Sequence, residues 1–331
     1  MSSSTRKADL HVHSSYSFDV PLLPALHPRA LFETALGHRD ADRRMDYFVL
    51  TDHDTMDGYE ALMRRLSESD RALVIPGVEH TLYDPSLGFT IHVNLYGLDP
   101  DLYARLRMSV TTLDDLLAFA REHALRCQYN HPTWWERAEL RRGDVDFSRV
   151  PEIAARFDML ELNAARTPLQ NLITAGLAAE LNLPITASSD THTGVVGRAC
   201  TEAVADTKAE FLRAVWAGEG ATHLTTLSQE SLVDEAHGLI DSYLDRTSGA
   251  VRAREIRSQS QAWLESAASR VVSSHWVRNN PAARESLRTL LKQASRPIMR
   301  CVMLYEERLD RRLEGSSLRG YLSYTGRVRA A

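Results

Sequence analysis

The sequence predicts an α/β protein in which parallel strands alternate with crossover helices, followed by a region of helices alone. Short runs of apolar and β-branched residues, separated by longer helical stretches, recur between residues 8 and 225, as expected of successive βαβ units. Hydrophobic residues make up 44% of the chain and charged residues 25%, a composition typical of globular proteins. The 331 residues are therefore enough for one large α/β domain with a smaller companion.

Seven segments have the length and composition of strands. They are residues 8–13, 47–51, 72–76, 90–95, 125–129, 159–163 and 184–187. Between them lie stretches with helical periodicity, such as residues 111–123, 169–181 and 208–217. Gly218 is suited to end the last of these helices, because glycine readily adopts the left-handed conformation after a helix.

The sequence predicts that residues 226–331 form helices and no strands. Apolar residues recur there at helical spacing, at Leu232, Ala236, Leu239 and Tyr243 and again at Cys301, Tyr305, Leu309 and Leu313. Pro297 is suited to begin a helix and Gly315 to end one. We therefore expect a first domain over residues 1–225 and a basic helical region over residues 226–331.

Charge is divided unevenly between the two parts of the chain. Residues 241–331 carry 17 basic against 9 acidic residues, whereas residues 1–240 carry 22 against 35. A basic surplus attracts nucleic acid, but solvated helical faces with arginine stems over apolar surface explain it more simply. The apolar stripe of these helices has to pack against the first domain or against a second subunit, which leaves a homo-oligomer as one alternative.

Cysteine usage and the absence of long apolar stretches bear on the compartment. Cys127, Cys200 and Cys301 have no paired spacing and cannot form a closed set of disulfides. The first residues contain no apolar signal region, and no stretch of about 18 apolar residues is present. We therefore expect a cytoplasmic protein that is not associated with a membrane.

Histidines and carboxylates follow nearly every predicted strand. His11 and His13 lie on the same side of an extended chain and could bind one metal ion. The other members are His53 between two aspartates, Glu79 with His80, His92, His131, and Asp190 with His192. A single histidine in a strand is more often a hydrogen-bonded core residue than a ligand. Six strands of seven supply such residues, however, and this clustering favours a metal site at the carboxyl ends of the strands.

The order of these motifs resembles that of the polymerase and histidinol phosphatase (PHP) family. The opening DLHVHSSYSFD and the closing SSDTHT are similar to the family's first and last motifs, and TDHD, GVEH and NHP follow in order between them. The resemblance covers about residues 8–225. It implies a distorted (β/α)7 barrel of the PHP type, with the C-terminal helices as an appendage, and a metal-dependent phosphoesterase holding two to three divalent ions at the C-terminal mouth.

Nine side chains match the metal ligands that the resemblance implies. In three groups, they are His11, His13, Glu79 and Asp190 for one ion, Glu79 with His92 and His131 for a second, and Asp19, His53 and His192 for a third. In the opening motif, Phe18 stands where many relatives have the acid, so the assignment of Asp19 requires a loop that is longer by one residue.

This ligand set agrees with the hydrolysis of a phosphate ester. Closely spaced ions bridged by a carboxylate activate water at neutral pH and compensate charge on the phosphoryl oxygens, so Glu79 and Asp190 are the catalytic candidates. Mixed histidine and carboxylate ligands suit Zn, Mn or Fe, among which the sequence does not choose. Arg166 and Arg198 are candidates to bind the substrate phosphate, although each is equally suited to an ordinary ion pair.

Several neighbouring residues have two interpretations. Trp134 and Trp135 could form an aromatic wall of a substrate site, although packing under a loop is commoner. Asp52 and Asp54 could orient ligand imidazoles or cap turns. His80 follows Glu79 and by strand alternation points the other way, which favours a structural role.

The leading functional prediction is a metal-dependent phosphoesterase that hydrolyses a small phosphorylated metabolite or nucleotide with a metal-activated water. One alternative is a nuclease or another metal-dependent hydrolase on the same barrel. The other is a metal-stabilised binding module without catalysis. The complete ligand set favours an enzyme, because a module without catalysis could lose ligands without consequence.

Overall fold

The computed structural model describes residues 4–245 and 280–327, the last four of these without their side chains. The stretches 246–279 and 328–331 of the predicted helical region lie outside the described residues. Nine strands form one sheet: β1 (Thr5–Asp9), β2 (Tyr47–Leu50), β3 (Val74–Asp84), β4 (Phe89–Tyr96), β5 (Arg126–Tyr129), β6 (Met159–Asn163), β7 (Ile185–Ser188), β8 (Ala199–Val204) and β9 (Ala221–Leu224).

Eleven α-helices lie within the described ranges. They are α1 (Pro28–Leu36), α2 (Asp57–Met63), α3 (Glu68–Arg71), α4 (Pro100–Ser109), α5 (Leu113–Glu122), α6 (Arg137–Arg142), α7 (Val150–Ala154), α8 (Pro168–Leu181), α9 (Lys208–Trp216), α10 (Gln229–Leu244) and α11 (Pro281–Glu314). Short 3-10 segments span Pro24–Leu26, Phe147–Arg149 and Ser317–Arg327. None of the described helices combines the length and the apolar character needed to cross a membrane.

The sheet curls into a nearly closed barrel. Its strands follow the order β7-β6-β5-β4-β3-β2-β1-β8-β9, and β7 returns to contact β8 and β9. At this seam the backbone N–H of Ala187 donates to Thr201 Oγ1 at 2.9 Å, and the same hydroxyl donates to the Ala187 carbonyl at 3.2 Å. The predicted α/β barrel with a C-terminal helical appendage is confirmed.

Two details of the strand arrangement differ from the prediction. All seven predicted strands are present, but β8 and β9 make nine, and four of the eight strand pairs are antiparallel. Only residues 85–88 separate β3 from β4, too few for the crossover that a parallel pair needs. The first strand ends at Asp9, so His11 and His13 follow it in an extended segment, where Val12 forms an isolated parallel bridge with Thr191.

Helix α11 is longer than the sequence predicts. Gly315 follows its last residue, as expected, but Pro297 lies inside the helix instead of beginning it. Asn280 caps the start of the helix before Pro281, and its side chain accepts from the N–H of Ala283 at 3.1 Å. A proline inside a helix removes one backbone hydrogen bond. Before Pro297 the helix contacts α10, where Arg288 and Lys292 pair with Asp241, and after it the helix contacts α8, where Glu306 accepts from the amide of Gln170.

The apolar stripe of the C-terminal region packs against the barrel. Leu309 and Leu313 of α11, together with Leu318, are buried in the same apolar cluster as Ile173 and Leu177 of α8. The sequence left two surfaces possible for this stripe, the first domain and a second subunit. In the structure the stripe packs on the first domain. A boundary between two domains at residue 225 stays a prediction.

Close packing at Gly176 provides a test of this attachment. A Cβ on Gly176, in the middle of α8, would overlap the backbone oxygen of Tyr321. We expect Gly176→Ala to lower the free energy of unfolding by about 1–3 kcal/mol, because the 3-10 segment must move away. Denaturant unfolding monitored by circular dichroism measures this.

The matched control is Gly238→Ala in α10, where an added Cβ meets nothing within 4 Å. This change should be neutral or stabilise by about 0.5–1 kcal/mol. Equal unfolding energies for the two variants would contradict the packing of the 3-10 segment on Gly176.

Candidate metal centre

Glu79 lies at the centre of the predicted ligands. It is fully buried in the middle of β3, and its two carboxylate oxygens face five imidazoles. The distances are 2.9 Å from Oε2 to His11 Nε2, 3.1 Å to His13 Nε2 and 3.3 Å to His53 Nδ1, and from Oε1 3.1 Å to His92 Nδ1 and 3.7 Å to His131 Nε2. The carboxylate of Glu79 therefore contacts imidazoles from each of the three predicted groups. His192 is the predicted ligand imidazole that does not face it.

The first group is brought together by the extended segment after β1. The Nε2 atoms of His11 and His13 are 2.9 Å apart. Asp190 Oδ1 lies 3.5 Å from the first of these atoms and 3.3 Å from the second. With Glu79, these side chains present two nitrogens and two oxygens to one point, all of them buried.

The third group contains Asp19. Its Oδ2 lies 2.7 Å from His192 Nε2 and 3.4 Å from His53 Nε2. The preceding Phe18 is exposed and its ring lies against that of His53, with centroids 5.0 Å apart. The longer loop of the opening motif thus accommodates Phe18 at the surface and still brings the Asp19 carboxylate to the histidines.

The second group leaves two imidazole nitrogens without a partner. His92 Nδ1 and His131 Nε2 face Glu79 Oε1, while His92 Nε2 and His131 Nδ1 are buried without a hydrogen bond. Buried polar atoms are nearly always paired, so these two nitrogens are candidates for binding a group from outside the chain.

The donor atoms fit a centre of closely spaced metal ions. Three overlapping triads have all their ligand atoms within 4.8 Å of one another. They are His11, His13 and Glu79, then His53, Glu79 and His92, and finally His13, His53 and His192. Imidazole and carboxylate donors in this mixture suit divalent transition metals, so the residues form a candidate divalent metal centre.

The charges of the site keep its carboxylates ionised. Burial alone would raise the pKa of Glu79, but the charge of the neighbouring His11 holds it well below its usual range. Burial opposes the charged form of His192, yet the carboxylate of Asp19 raises its pKa to about 10. Burial lowers the pKa of His131 to about 4. His131 is therefore a neutral imidazole at pH 7, the form that binds metals.

The backbone at two predicted ligands is strained. His131 has φ of 31° and Asp190 has φ of 51°, a left-handed conformation that is uncommon for residues other than glycine. Hydrogen bonds hold both peptides, since the His131 N–H donates to Glu161 Oε2 at 3.0 Å and the Asp190 N–H donates to the carbonyl of His11 at 2.9 Å. Such conformations persist where surrounding contacts determine them and are concentrated at functional sites.

Glu161 is a residue of the site that the sequence analysis missed. It is fully buried on β6, the one predicted strand to which no ligand was assigned. Its carboxylate lies 2.7 Å from His11 Nδ1 and accepts from Ser188 Oγ at 2.7 Å and from Asn163 Nδ2 at 3.0 Å. The available signal was a single carboxylate between two leucines in the strand MLELN. Carboxylates in this position fix the tautomer and orientation of a ligand imidazole.

We expect Glu161→Gln to weaken metal affinity by about 10- to 100-fold, because the amide cannot hold the imidazole of His11 as the carboxylate does. Competition with a chelator measures this affinity. The control is Glu202→Gln, which removes a carboxylate that lies 3.0 Å from a histidine, His223, on the adjacent β9. An equal loss in both variants would show that Glu161 has no special part in positioning His11.

The sequence left two interpretations for Asp52, Asp54 and His80. In the structure these residues contact the backbone of turns and strands, or each other. Asp52 accepts from the N–H of Ser14 at 2.6 Å and from its hydroxyl at 2.8 Å, and so fixes the turn after His13. Asp54 accepts from the N–H of Thr81 at 3.0 Å and lies 3.2 Å from His80 Nδ1. His80 therefore faces Asp54, as strand alternation indicates.

The two predicted phosphate-binding arginines differ in their surroundings. Arg166 Nη2 lies 3.2 Å from Asp190 Oδ2, and its guanidinium stands over the ring of Trp134 at 4.6 Å from the centroid. Arg198 instead forms an ion pair with Glu235 of α10 and donates to the carbonyl of Ala164 at 3.1 Å. These contacts favour the ion-pairing alternative for Arg198, whereas Arg166 lies beside the candidate ligands.

A cavity of about 240 Å³ adjoins the ligand cluster. Its walls include Asp190, both of these arginines and Trp134. Trp135 is buried elsewhere, with its ring 5.0 Å from that of Phe147. Of the two tryptophans, Trp134 thus takes the position expected of an aromatic wall, whereas Trp135 packs in the apolar core against Phe147.

Comparisons with known proteins bear on the family. The PHP-associated family model matches residues 168–219, which include Asp190 and His192. No curated protein matches the chain.

Solved structures similar to this chain share 16–17% sequence identity with it. A two-domain protein of Bacteroides vulgatus, containing a predicted PHP-like metal-dependent phosphoesterase, covers 76% of this chain and 74% of its own at 17% identity, with a TM-score of 0.49. A candidate metal-dependent phosphoesterase of Bifidobacterium adolescentis covers 63% of this chain and 94% of its own at 16% identity, with a TM-score of 0.45. The lesion-specific endonuclease Q of Pyrococcus furiosus covers 66% and 57% at 17% identity and a TM-score of 0.44.

Proposed function

Starting from the PHP resemblance, which is confirmed, we propose that this protein is a metal-dependent phosphoesterase acting on a small phosphorylated metabolite or nucleotide. The observation that carries the proposal is the cluster of nine ligand-type side chains that includes the buried Glu79, whose carboxylate faces five of the imidazoles. A packing role alone would not require so many titratable groups at one point, because buried ionisable groups are costly unless they are paired or bind metals.

The ligand groups are suited to two to three ions of zinc, manganese or iron. Ions held there would lower the pKa of a water molecule and neutralise charge on the phosphoryl oxygens. Glu79 keeps two sets of imidazoles at a fixed spacing, because each of its oxygens faces a different set. Asp190 connects the pair of His11 and His13 to the side chain of Arg166.

Arg166 is the residue that we assign to the substrate phosphate. Its guanidinium is held between Asp190 and the face of Trp134, and its Nε is buried without a hydrogen-bond partner. A planar guanidinium binds phosphate oxygens with strong, charge-assisted hydrogen bonds. The free Nε–H donor beside the ligand cluster is thus available to a phosphoryl oxygen.

The size of the cavity favours a small ester over a polymer. Its volume of about 240 Å³ is below the roughly 300–1,000 Å³ of pockets for drug-sized ligands. A nuclease needs a groove that continues beyond the reacting phosphate, and the cavity beside Asp190 is bordered instead by residues of α10 and α11.

Phosphate release from a panel of phosphomonoesters, by the purified protein with its metal content measured, tests the proposal. We expect release that a chelator abolishes and that added Mn, Zn or Fe restores. Cleavage of single- or double-stranded DNA without release from monoesters would support the nuclease. Full metal content without hydrolysis of either substrate class would indicate the binding module.

A further inference from the structure

The cavity beside the candidate metal centre has walls from both parts of the chain. Asp190 and Arg166 belong to the barrel mouth, whereas Leu232 lies on α10 and Val302 and Glu306 lie on α11. The helical appendage therefore borders the same space that the ligand cluster borders. It is part of the site's wall and not only a cover for apolar surface.

Polar contacts hold the two helices in place at this wall. Glu235 of α10 pairs with Arg198 and accepts from Thr193 Oγ1 at 2.8 Å, close to the closing motif. On α11, Asp310 accepts from Thr167 Oγ1 at 2.8 Å. Each helix is thus fixed to a barrel loop that leads to or from the ligand cluster, so its side chains have defined positions in the cavity.

Glu306 is the unexplained group in this wall. It is only 4% exposed, and Oε2 accepts from the amide of Gln170 at 3.0 Å. Among residues 4–245 and 280–323, no lysine or arginine forms an ion pair with Glu306. A buried carboxylate with a single amide donor is poorly compensated, and this one borders a cavity that adjoins a candidate catalytic centre.

We propose that α10 and α11 form the leaving-group pocket of the phosphoesterase site, in which Glu306 accepts hydrogen bonds from hydroxyl groups of a phosphorylated sugar or polyol. The inference rests on the proposed phosphoesterase function and deepens it by naming the substrate class. With the phosphate at Arg166, the leaving group extends toward Leu232 and Val302 and brings its hydroxyls to Glu306.

The charges around the cavity favour hydroxyl donors over an ammonium group. Arg137, Arg166 and Arg198 border the cavity, and the exposed Arg137 guanidinium stands over the ring of Tyr305 at 4.2 Å, next to Glu306 in sequence. Arg166 pairs with Asp190 and Arg198 with Glu235, and both of these carboxylates also border the cavity. Among the described residues, Arg137 is thus the cation of this wall without a carboxylate partner, and its charge opposes that of an ammonium group. Neutral hydroxyls satisfy the carboxylate without adding positive charge.

The test compares kcat/KM for two classes of ester, sugar or polyol phosphates and phenyl phosphate, which has no hydroxyl on its leaving group. Glu306→Gln removes the charge of the acceptor, and Val302→Trp fills the pocket. We expect each variant to lower the preference for the hydroxyl-bearing esters by about 10- to 100-fold, as the loss of a hydrogen bond to a charged group implies, mainly through a higher KM. The control is Leu304→Trp, at an exposed position of α11, which should keep the wild-type preference.

Metal content and thermal unfolding show whether each variant is folded. If Val302→Trp does not fold, the substrate preference of the conservative Glu306→Gln variant decides the test. An unchanged preference in folded Glu306→Gln would overturn the leaving-group pocket while the phosphoesterase function stands. A wild-type protein that prefers phenyl phosphate would do the same. A metal-loaded wild-type protein that hydrolyses no monoester would overturn the phosphoesterase function, and the pocket with it.

Discussion

Glu79→Gln is expected to lower kcat by more than about 100-fold while the protein still folds. Partners that merely orient a metal ligand already contribute 10- to 100-fold, and Glu79 faces five imidazoles with its two oxygens. The amide has only one acceptor oxygen and no charge, so it cannot serve both sets of imidazoles. Steady-state phosphate release, together with the midpoint of thermal unfolding, measures the two effects separately.

The matched control is Glu139→Gln. Glu139 is also buried, and it accepts from the N–H and the hydroxyl of Thr90 at 2.8 and 2.7 Å, away from the ligand cluster. This variant should keep wild-type turnover even if it loses some stability. Wild-type turnover by Glu79→Gln would remove Glu79 from the bridging role.

The double variant His11→Ala, His13→Ala should retain almost no metal and release no phosphate above background. The two Nε2 atoms are 2.9 Å apart and lie within 3.5 Å of both Glu79 and Asp190. Removing them leaves the two carboxylates without their shared nitrogen ligands. Elemental analysis of the purified protein measures the metal, and metal binding depends on all ligands being in place.

The control for this double variant is His80→Ala. His80 is a buried imidazole directly after Glu79, but it faces Asp54 and the hydroxyl of Tyr103. Its removal should leave metal content unchanged. If the double variant kept full metal content, the assignment of the centre would be wrong.

The amino-acid sequence by itself was sufficient to predict the candidate metal ligands, because the type of each side chain and its spacing along the chain are local properties. His11 and His13 lie two residues apart in an extended segment, and His53, Glu79 and Asp190 each lie in or just after a strand. Such a segment has a period of two residues, so sequence spacing decides which side chains share a side. The parallel bridges of Val12 with Thr191 and of His53 with Glu79 show why side chains from distant motifs then meet.

Other features depended on contacts between residues far apart in the chain. The antiparallel direction of β4 and the seam at which β7 meets β8 and β9 belong to the closing of the sheet. Pro297 predicted the start of a helix, yet packing on both sides of it keeps α11 continuous. Local propensity is a weak preference that tertiary packing overrides.

The same difference between sequence and tertiary structure is seen within the site, at Glu161, Arg198 and Glu306. In sequence, Glu161 is one acid between two leucines of a strand, Arg198 is one arginine among 36, and Glu306 is one carboxylate on a long helix. The fold decided that Glu161 lies beside His11, that Arg198 pairs with Glu235 and that Glu306 borders the cavity. The physical reason is that a ligand's chemistry resides in its own side chain, whereas a partner's role is set by burial and distance, which exist only once remote segments have packed together.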